Sequence, residues 1–147
     1  MGQALFSAAV SAWVTETKER MDAVRKEAAK RTVAIMQTPV GEGGRMRVDT
    51  GFLRWSLQAQ LGMGSFTPRD KPVGVEKFTY DPGDVNLVII NAAPSDAITV
   101  GFTARYAAAR EYGARGQAPD AFVRLAAQQW QRVVNEVATE AQKRATK

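Results

Sequence analysis

Between Leu5 and Met36 the apolar side chains Phe6, Val10, Trp13, Met21, Val24, Ala28 and Ile35, with Thr17 and Thr32 in register among them, recur at spacings of three and four. That period is the α-helical one and gathers them on one face. Many of the intervening positions, such as Glu16, Lys18, Glu19, Asp22, Arg25, Lys26, Glu27 and Lys30, are charged and suit solvent. One helix of about thirty residues, roughly 45 Å long at 1.5 Å per residue, is therefore expected. A chain of 147 residues, 45% of them hydrophobic, builds one domain around one modest core. Such a core is too small to cover the whole helix. The stripe around Phe6 and Trp13 is thus a candidate for packing on another subunit, with an intrachain helix pair as the equal alternative.

Pro39, Gly41, Gly43 and Gly44 end this helix. At Asp49-Thr50-Gly51 either polar side chain can cap the orphan amides of a short helix carrying Phe52, Leu53, Trp55, Ser56 and Leu57 and running to about Gln60. Direct passage into a strand over Gln58–Met63 stays open. Gly62–Gly83, interrupted by three prolines and four glycines, reads as a long loop or hairpin arm, with Val73–Tyr80 as a candidate strand. Strands are expected at Asn86–Asn91 and Ala97–Thr103, turning at Pro94-Ser95-Asp96. In the second, Ile98, Val100 and Phe102 alternate with Thr99, Gly101 and Thr103, giving one apolar and one polar face. Tyr106–Tyr112 reads as a short helix stopped by Gly113. A last helix over Asp120–Lys143 would bury Phe122, Val123, Ala126, Trp130, Val133, Val134 and Val137. The expected fold is α+β: a long N-terminal and a C-terminal helix packed on a small antiparallel sheet.

The chain contains neither cysteine nor histidine. Disulfides, thiolate metal sites, the usual neutral-pH general base and the Ser-His-Asp and Cys-His arrangements are all excluded. An enzyme would have to work with carboxylates such as Asp49, Asp81, Asp84, Glu111 and Asp120, and their spacing selects no pair. No cofactor or metal is expected. The apolar amino terminus lacks a basic leading region and soon becomes densely charged, so neither a signal peptide nor a membrane span is expected. The net charge of +5 is spread over 20 basic and 15 acidic residues, the pattern of a mixed solvated surface. Arg105, Arg110, Arg115 and Arg124 nevertheless keep a nucleic-acid-binding module as the alternative reading.

Three pieces occur in order: Asp49-Thr50-Gly51-Phe52-Leu53-Arg54-Trp55-Ser56; then Val100-Gly101 followed by Tyr106-Ala107 and Glu111-Tyr112-Gly113; then Pro119 and Phe122 opening the final helix. The order resembles the phage neck and tail-completion proteins typified by a minor tail component of lambdoid siphophages. Their pattern is DTGxLxxS, a strand ending in VG, YAxxxEYG, and a proline-phenylalanine start to the last helix. The resemblance spans Val48 to Ala127. Here Ala114-Arg115-Gly116-Gln117 follows Gly113, where the family often has Gly-Thr, and Asp120-Ala121 separates Pro119 from Phe122. Each piece also has a plain structural account: a cap and tight turn at Thr50-Gly51, core leucines four apart at Leu53 and Leu57, core rings at Tyr106 and Tyr112, a left-handed stop at Gly113, and an ion pair from Glu111 to Arg110 or Arg115.

The resemblance implies a non-enzymatic virion protein at the phage neck or tail end. It implies a homo-oligomeric ring, hexameric by analogy, between head-completion proteins on one side and tail tube or terminator proteins on the other. Double-stranded DNA would be only a passenger in the channel, with no membrane partner. A ring needs heterologous contacts, for which the exposed part of the first helix (Phe6, Trp13), the strand edges and the long loop (Phe66, Arg69, Lys71, Lys77, Phe78, Tyr80) are the candidates. Between Ser65 and Ala97 there are three basic and five acidic residues. That balance grips DNA poorly and suits a channel through which DNA slides.

Overall fold

The computed structural model describes residues 2–145, without the side chains of residues 2–4 and Phe6. The expectation for Phe6 as an interface side chain therefore lies outside the described residues. Helix α1 spans Gly2–Gln37, α2 Phe52–Trp55, α3 Gly83–Ile90, α4 Ala107–Tyr112, α5 Phe122–Gln128 and α6 Trp130–Ala145; strands β1 (Leu57–Leu61) and β2 (Ile98–Phe102) pair antiparallel. The α+β class and the two long terminal helical arms are as the sequence predicts.

At 36 residues α1 is about 54 Å long, beyond the span of a compact body of this chain length, whose radius of gyration is about 15 Å. Its C-terminal part is the core helix. Ala28, Val33 and Met36 are buried there, against Val133 and Val137 of α6, Ala126 of α5, and Val85 and Ile89 of α3. Each of the buried valine, isoleucine and methionine side chains among them contributes about 1.5–3 kcal/mol. The N-terminal part is bare: Leu5, Trp13 and Met21 are 70%, 67% and 67% exposed.

The sheet is assembled differently from the expected hairpin. β2 lies where predicted, but its partner is β1, in the register Leu57↔Phe102, Ala59↔Val100 and Leu61↔Ile98. These pairs share the face turned to the core; Gln58↔Gly101 and Gln60↔Thr99 share the other. The segment predicted as strand Asn86–Asn91 is instead helix α3. Val85 and Ile89, four residues apart, are its buried face, and the Asp81 carboxylate accepts the Gly83 amide at 2.8 Å to start it. A short run that is apolar nearly all round fits either period.

Of the two readings left open after Thr50, a helix to about Gln60 or direct passage into a strand over Gln58–Met63, the second holds: α2 stops at Trp55 and the chain enters β1 at Leu57–Leu61. No strand forms over Val73–Tyr80. The expected single helix over Asp120–Lys143 begins at Phe122, because Ala121 is left-handed (φ 54°) and ends the preceding connection; it is interrupted at Gln129, whose amide turns back to Ala126 O at 3.0 Å, which divides it into α5 and α6.

The Gly62–Pro82 segment is irregular, as expected, yet it is tied down rather than projecting as an arm. Arg69 donates its amide to Thr103 O at 2.6 Å and accepts the Arg105 amide at 2.8 Å; the Phe78 amide donates to Thr50 O at 2.8 Å. Residues 70–77 are its longest continuously exposed run, and Met63–Ser65, Thr67, Pro68, Thr79, Asp81 and Pro82 are exposed as well.

Candidate functional site

The signature residues form one packed scaffold. In the first piece, Thr50 Oγ1 accepts the Phe52 amide at 3.2 Å, which selects Thr50 over the exposed Asp49 as the capping side chain. Gly51 has φ +85°, and a Cβ there would come within 2.3 Å of Phe78 O. Glycine is thus required both by the backbone turn and by the loop lying against it. Leu53 is buried with Phe52, Met46, Ala104 and Phe122. Ser56 is fully buried, its hydroxyl donating to Leu53 O at 2.7 Å while its carbonyl accepts both the Thr103 amide (3.0 Å) and hydroxyl (2.8 Å).

In the second piece, Gly101 is the notch in which Phe66 sits: a Cβ at 101 would meet the Phe66 ring at 2.5 Å. Ala107 packs on the cluster around Phe52 and Phe122. Glu111 pairs with neither Arg110 nor Arg115. Its buried carboxylate instead reaches the start of α5, accepting the amides of Val123 and Arg124, each at 2.9 Å, and the Arg124 Nε at 3.1 Å. The Arg124 Nη2 also donates to Glu111 O at 2.9 Å. A carboxylate at a helix N-terminus satisfies amides that have no partner within the helix and meets the positive end of its dipole. This is why α5 starts without a capping side chain of its own.

Tyr106 and Tyr112 are exposed rings rather than core ones. The Tyr112 ring lies under the Arg124 guanidinium, 4.8 Å from centroid to Cζ. Burial is the largest influence on the Tyr106 phenol and raises it above its ordinary value; Arg110 opposes the shift and Asp49 adds to it. Gly113 has φ 83° and ψ 151°, an extended glycine conformation and not the left-handed helical stop expected. A Cβ there would fall 2.8 Å from Gln117 O and 3.1 Å from the nitrogen of the exposed Pro119. Phe122 is buried edge-on to Phe102, centroids 5.0 Å apart.

The loop residues considered as an interface divide in two. Phe66, Arg69, Phe78 and Tyr80 are half-buried and hold the loop to the body. Arg69 stacks 4.8 Å over Trp55 and its Nε donates to Thr103 Oγ1 at 3.0 Å. Phe78 lies 5.2 Å from Phe52 and 5.3 Å from Trp55, centroid to centroid. Burial raises the Tyr80 phenol, while the nearby Gln37 side chain favours the ionised form; Tyr80 Oη and Gln37 Oε1 are nonetheless both buried without a well-formed hydrogen bond. Lys71 and Lys77 are exposed, Lys71 donating to Val75 O at 3.1 Å. Trp13 stands free of the core on α1.

Between the first and second signature pieces the surface opens into a cleft of about 820 Å³. Thr50, Gly51, Leu53 and Tyr106 form part of its wall, and Arg47, Arg54, Lys71, Arg110 and Arg115 line it. Arg47 and Arg54 had not stood out in the sequence; their only signal was that they flank Asp49-Thr50-Gly51. Of the four arginines behind the nucleic-acid alternative, only Arg110 and Arg115 line the cleft; Arg105 pairs with Asp70 at 2.9 Å and Arg124 with Glu111. Among the described residues no group of three or more His, Cys, Asp or Glu side chains could hold a metal ion, and no helix is long and apolar enough to cross a membrane.

Comparison of the chain with protein-family models, with curated proteins and with solved structures finds no match.

Proposed function

We propose that the chain is a structural, non-enzymatic protein of the head-to-tail junction of a tailed phage, forming a ring around the DNA channel and joining tail to head. The observation that carries the reading is the uncovered part of α1. The first charged side chain in the sequence is Glu16, and the stretch before it displays Leu5, Val10, Trp13 and Val14 to solvent. A long helix end with an apolar face and no charged side chain is unstable as a free surface and suits burial against neighbouring subunits. The ordered signature, from Asp49-Thr50-Gly51 to Phe122, links that assembly to the phage neck and tail-completion proteins. Because its residues serve the scaffold, they support the family resemblance and leave the contacts to α1 and to the exposed loop residues 70–77.

The test is to silence the gene during phage growth. Filled heads and complete tails that remain unjoined are expected, with infectivity restored by the wild-type chain supplied in trans and not by Trp13→Glu. Joined, infectious particles made without the chain would contradict the reading.

A further inference from the structure

We propose that the cleft between the Arg47–Arg54 segment and α4 is a docking site for an acidic peptide segment of a partner protein. Its lining carries five cationic side chains against two carboxylates, Asp49 and Glu76. Arg47 is taken up by Asp120 at 2.7 Å and Lys71 faces Glu76 at 3.7 Å. Arg54, Arg110 and Arg115 make no ion pair among the described residues. The Nε of Arg54 is in addition buried with no hydrogen-bond acceptor. A buried cationic donor without an acceptor is costly, and native structures leave few of them. The Arg54 guanidinium lies 5.9 Å over the Tyr80 ring and its Nε is closed to a ligand, so Arg110 and Arg115, free of ion pairs on the cleft wall, define the place where carboxylates would bind by paired charge-assisted hydrogen bonds.

The rest of the lining decides between kinds of anion. Exposed Val48, Ala109 and Ala114 lie among the cations, so the surface intersperses charge with apolar area. A peptide whose carboxylates are separated by apolar side chains matches that surface. A nucleic acid does not: duplex DNA carries a charge every ~1.7 Å along its axis and would set phosphates against Asp49 and Glu76. The volume of about 820 Å³ falls within the ~300–1,000 Å³ of small binding pockets, enough for a few side chains. The wall is also held in place. Thr50 and Gly51 are fixed by the loop hydrogen bond to Phe78, and Arg110 O accepts the Asp120 amide at 2.8 Å. Little ordering is then required on binding.

The site stands apart from the junction reading, since it is measured on the purified full chain. The probe is a short fluorescein-labelled peptide with Asp at alternate positions and Leu and Ser between them, followed by fluorescence anisotropy. Saturable binding that weakens with salt is expected, with at least a tenfold loss in the Arg110→Gln/Arg115→Gln double variant. A Lys18→Gln/Arg132→Gln variant, with the same loss of charge outside the cleft, should bind as wild type, and circular dichroism should show all three proteins equally folded. No binding by the wild type, or equal loss in both variants, would overturn the proposal. So would an oligonucleotide that displaces the peptide at lower concentration and itself requires Arg110 and Arg115, which would assign the cleft to nucleic acid.

Discussion

Phe66 lies across Gly101, with its ring edge where a Cβ at that position would stand, 2.5 Å away. A loop residue and a strand residue thereby meet on the outer face of the two-stranded sheet, and this contact helps keep the Gly62–Pro82 segment against the body. Gly101→Val should destabilise the protein by about 1–3 kcal/mol through forced displacement of the ring. In a Phe66→Ala background the same substitution should cost clearly less. Urea denaturation of the four proteins in the double-mutant cycle measures this coupling; additive effects would mean that the two residues do not share the site.

Glu111 supplies to α5 what the sequence around Ala121 lacks. Removing its carboxylate in Glu111→Ala leaves two amides and the Arg124 guanidinium without their acceptor, a loss of about 2–4 kcal/mol. Glu111→Gln keeps one acceptor oxygen and should recover part of it. Both values follow from chemical denaturation, with the loss of α5 seen as faster amide exchange at Val123 and Arg124.

Helix α3 offers a direct check on the element that sequence reasoning misassigned. As a helix it buries Val85 and Ile89 and leaves Leu87 59% exposed. Ile89→Ala should therefore cost about 2–5 kcal/mol, whereas Leu87→Gln should stay within about 0.5 kcal/mol of wild type. A strand alternating Leu87 and Ile89 onto one face would make both substitutions costly.

That pair also shows how much was legible. Long-period signals survived: more than thirty residues of α1 leave no doubt about period, and the strict alternation of Ile98, Val100 and Phe102 placed β2. Short segments failed where both periods fit. Leu57-Gln58-Ala59-Gln60-Leu61 does alternate, the signal for β1, but the helix start at Thr50 competes for the same residues, so the sequence leaves helix and strand both open there and the fold decides for the strand. The Glu111 contact was hidden for a different reason. Its partners lie twelve and thirteen residues away across a left-handed Ala121, and no local capping pattern announces such a bond. The Arg54 side of the cleft was likewise invisible, since it joins segments more than fifty residues apart that meet only in the fold.

Glu140 and Arg31 join α6 to α1 through two hydrogen bonds of 2.7 and 3.1 Å. The hydrogen bonds from Arg31 hold the Glu140 carboxyl below its ordinary value of 4.5. A lowered folded-state value means that the unfolded chain binds the proton more readily. The contribution of this pair to stability is thus fully present above the unfolded value and is lost as pH falls through the folded one. Titration of Glu140 by carboxyl NMR should give a midpoint below 4.5, returning to the ordinary range in Arg31→Gln; an unshifted wild-type midpoint would mean that the pair does not persist in solution.

The most direct measurement of the central proposal is an electron-microscopic reconstruction of the phage particle that contains this chain. The expected result is a closed ring of copies around the DNA channel where head meets tail, with Leu5, Val10, Trp13 and Val14 of α1 buried against neighbouring subunits. A particle whose junction is complete without the chain, or a ring in which that part of α1 still faces solvent, would contradict it.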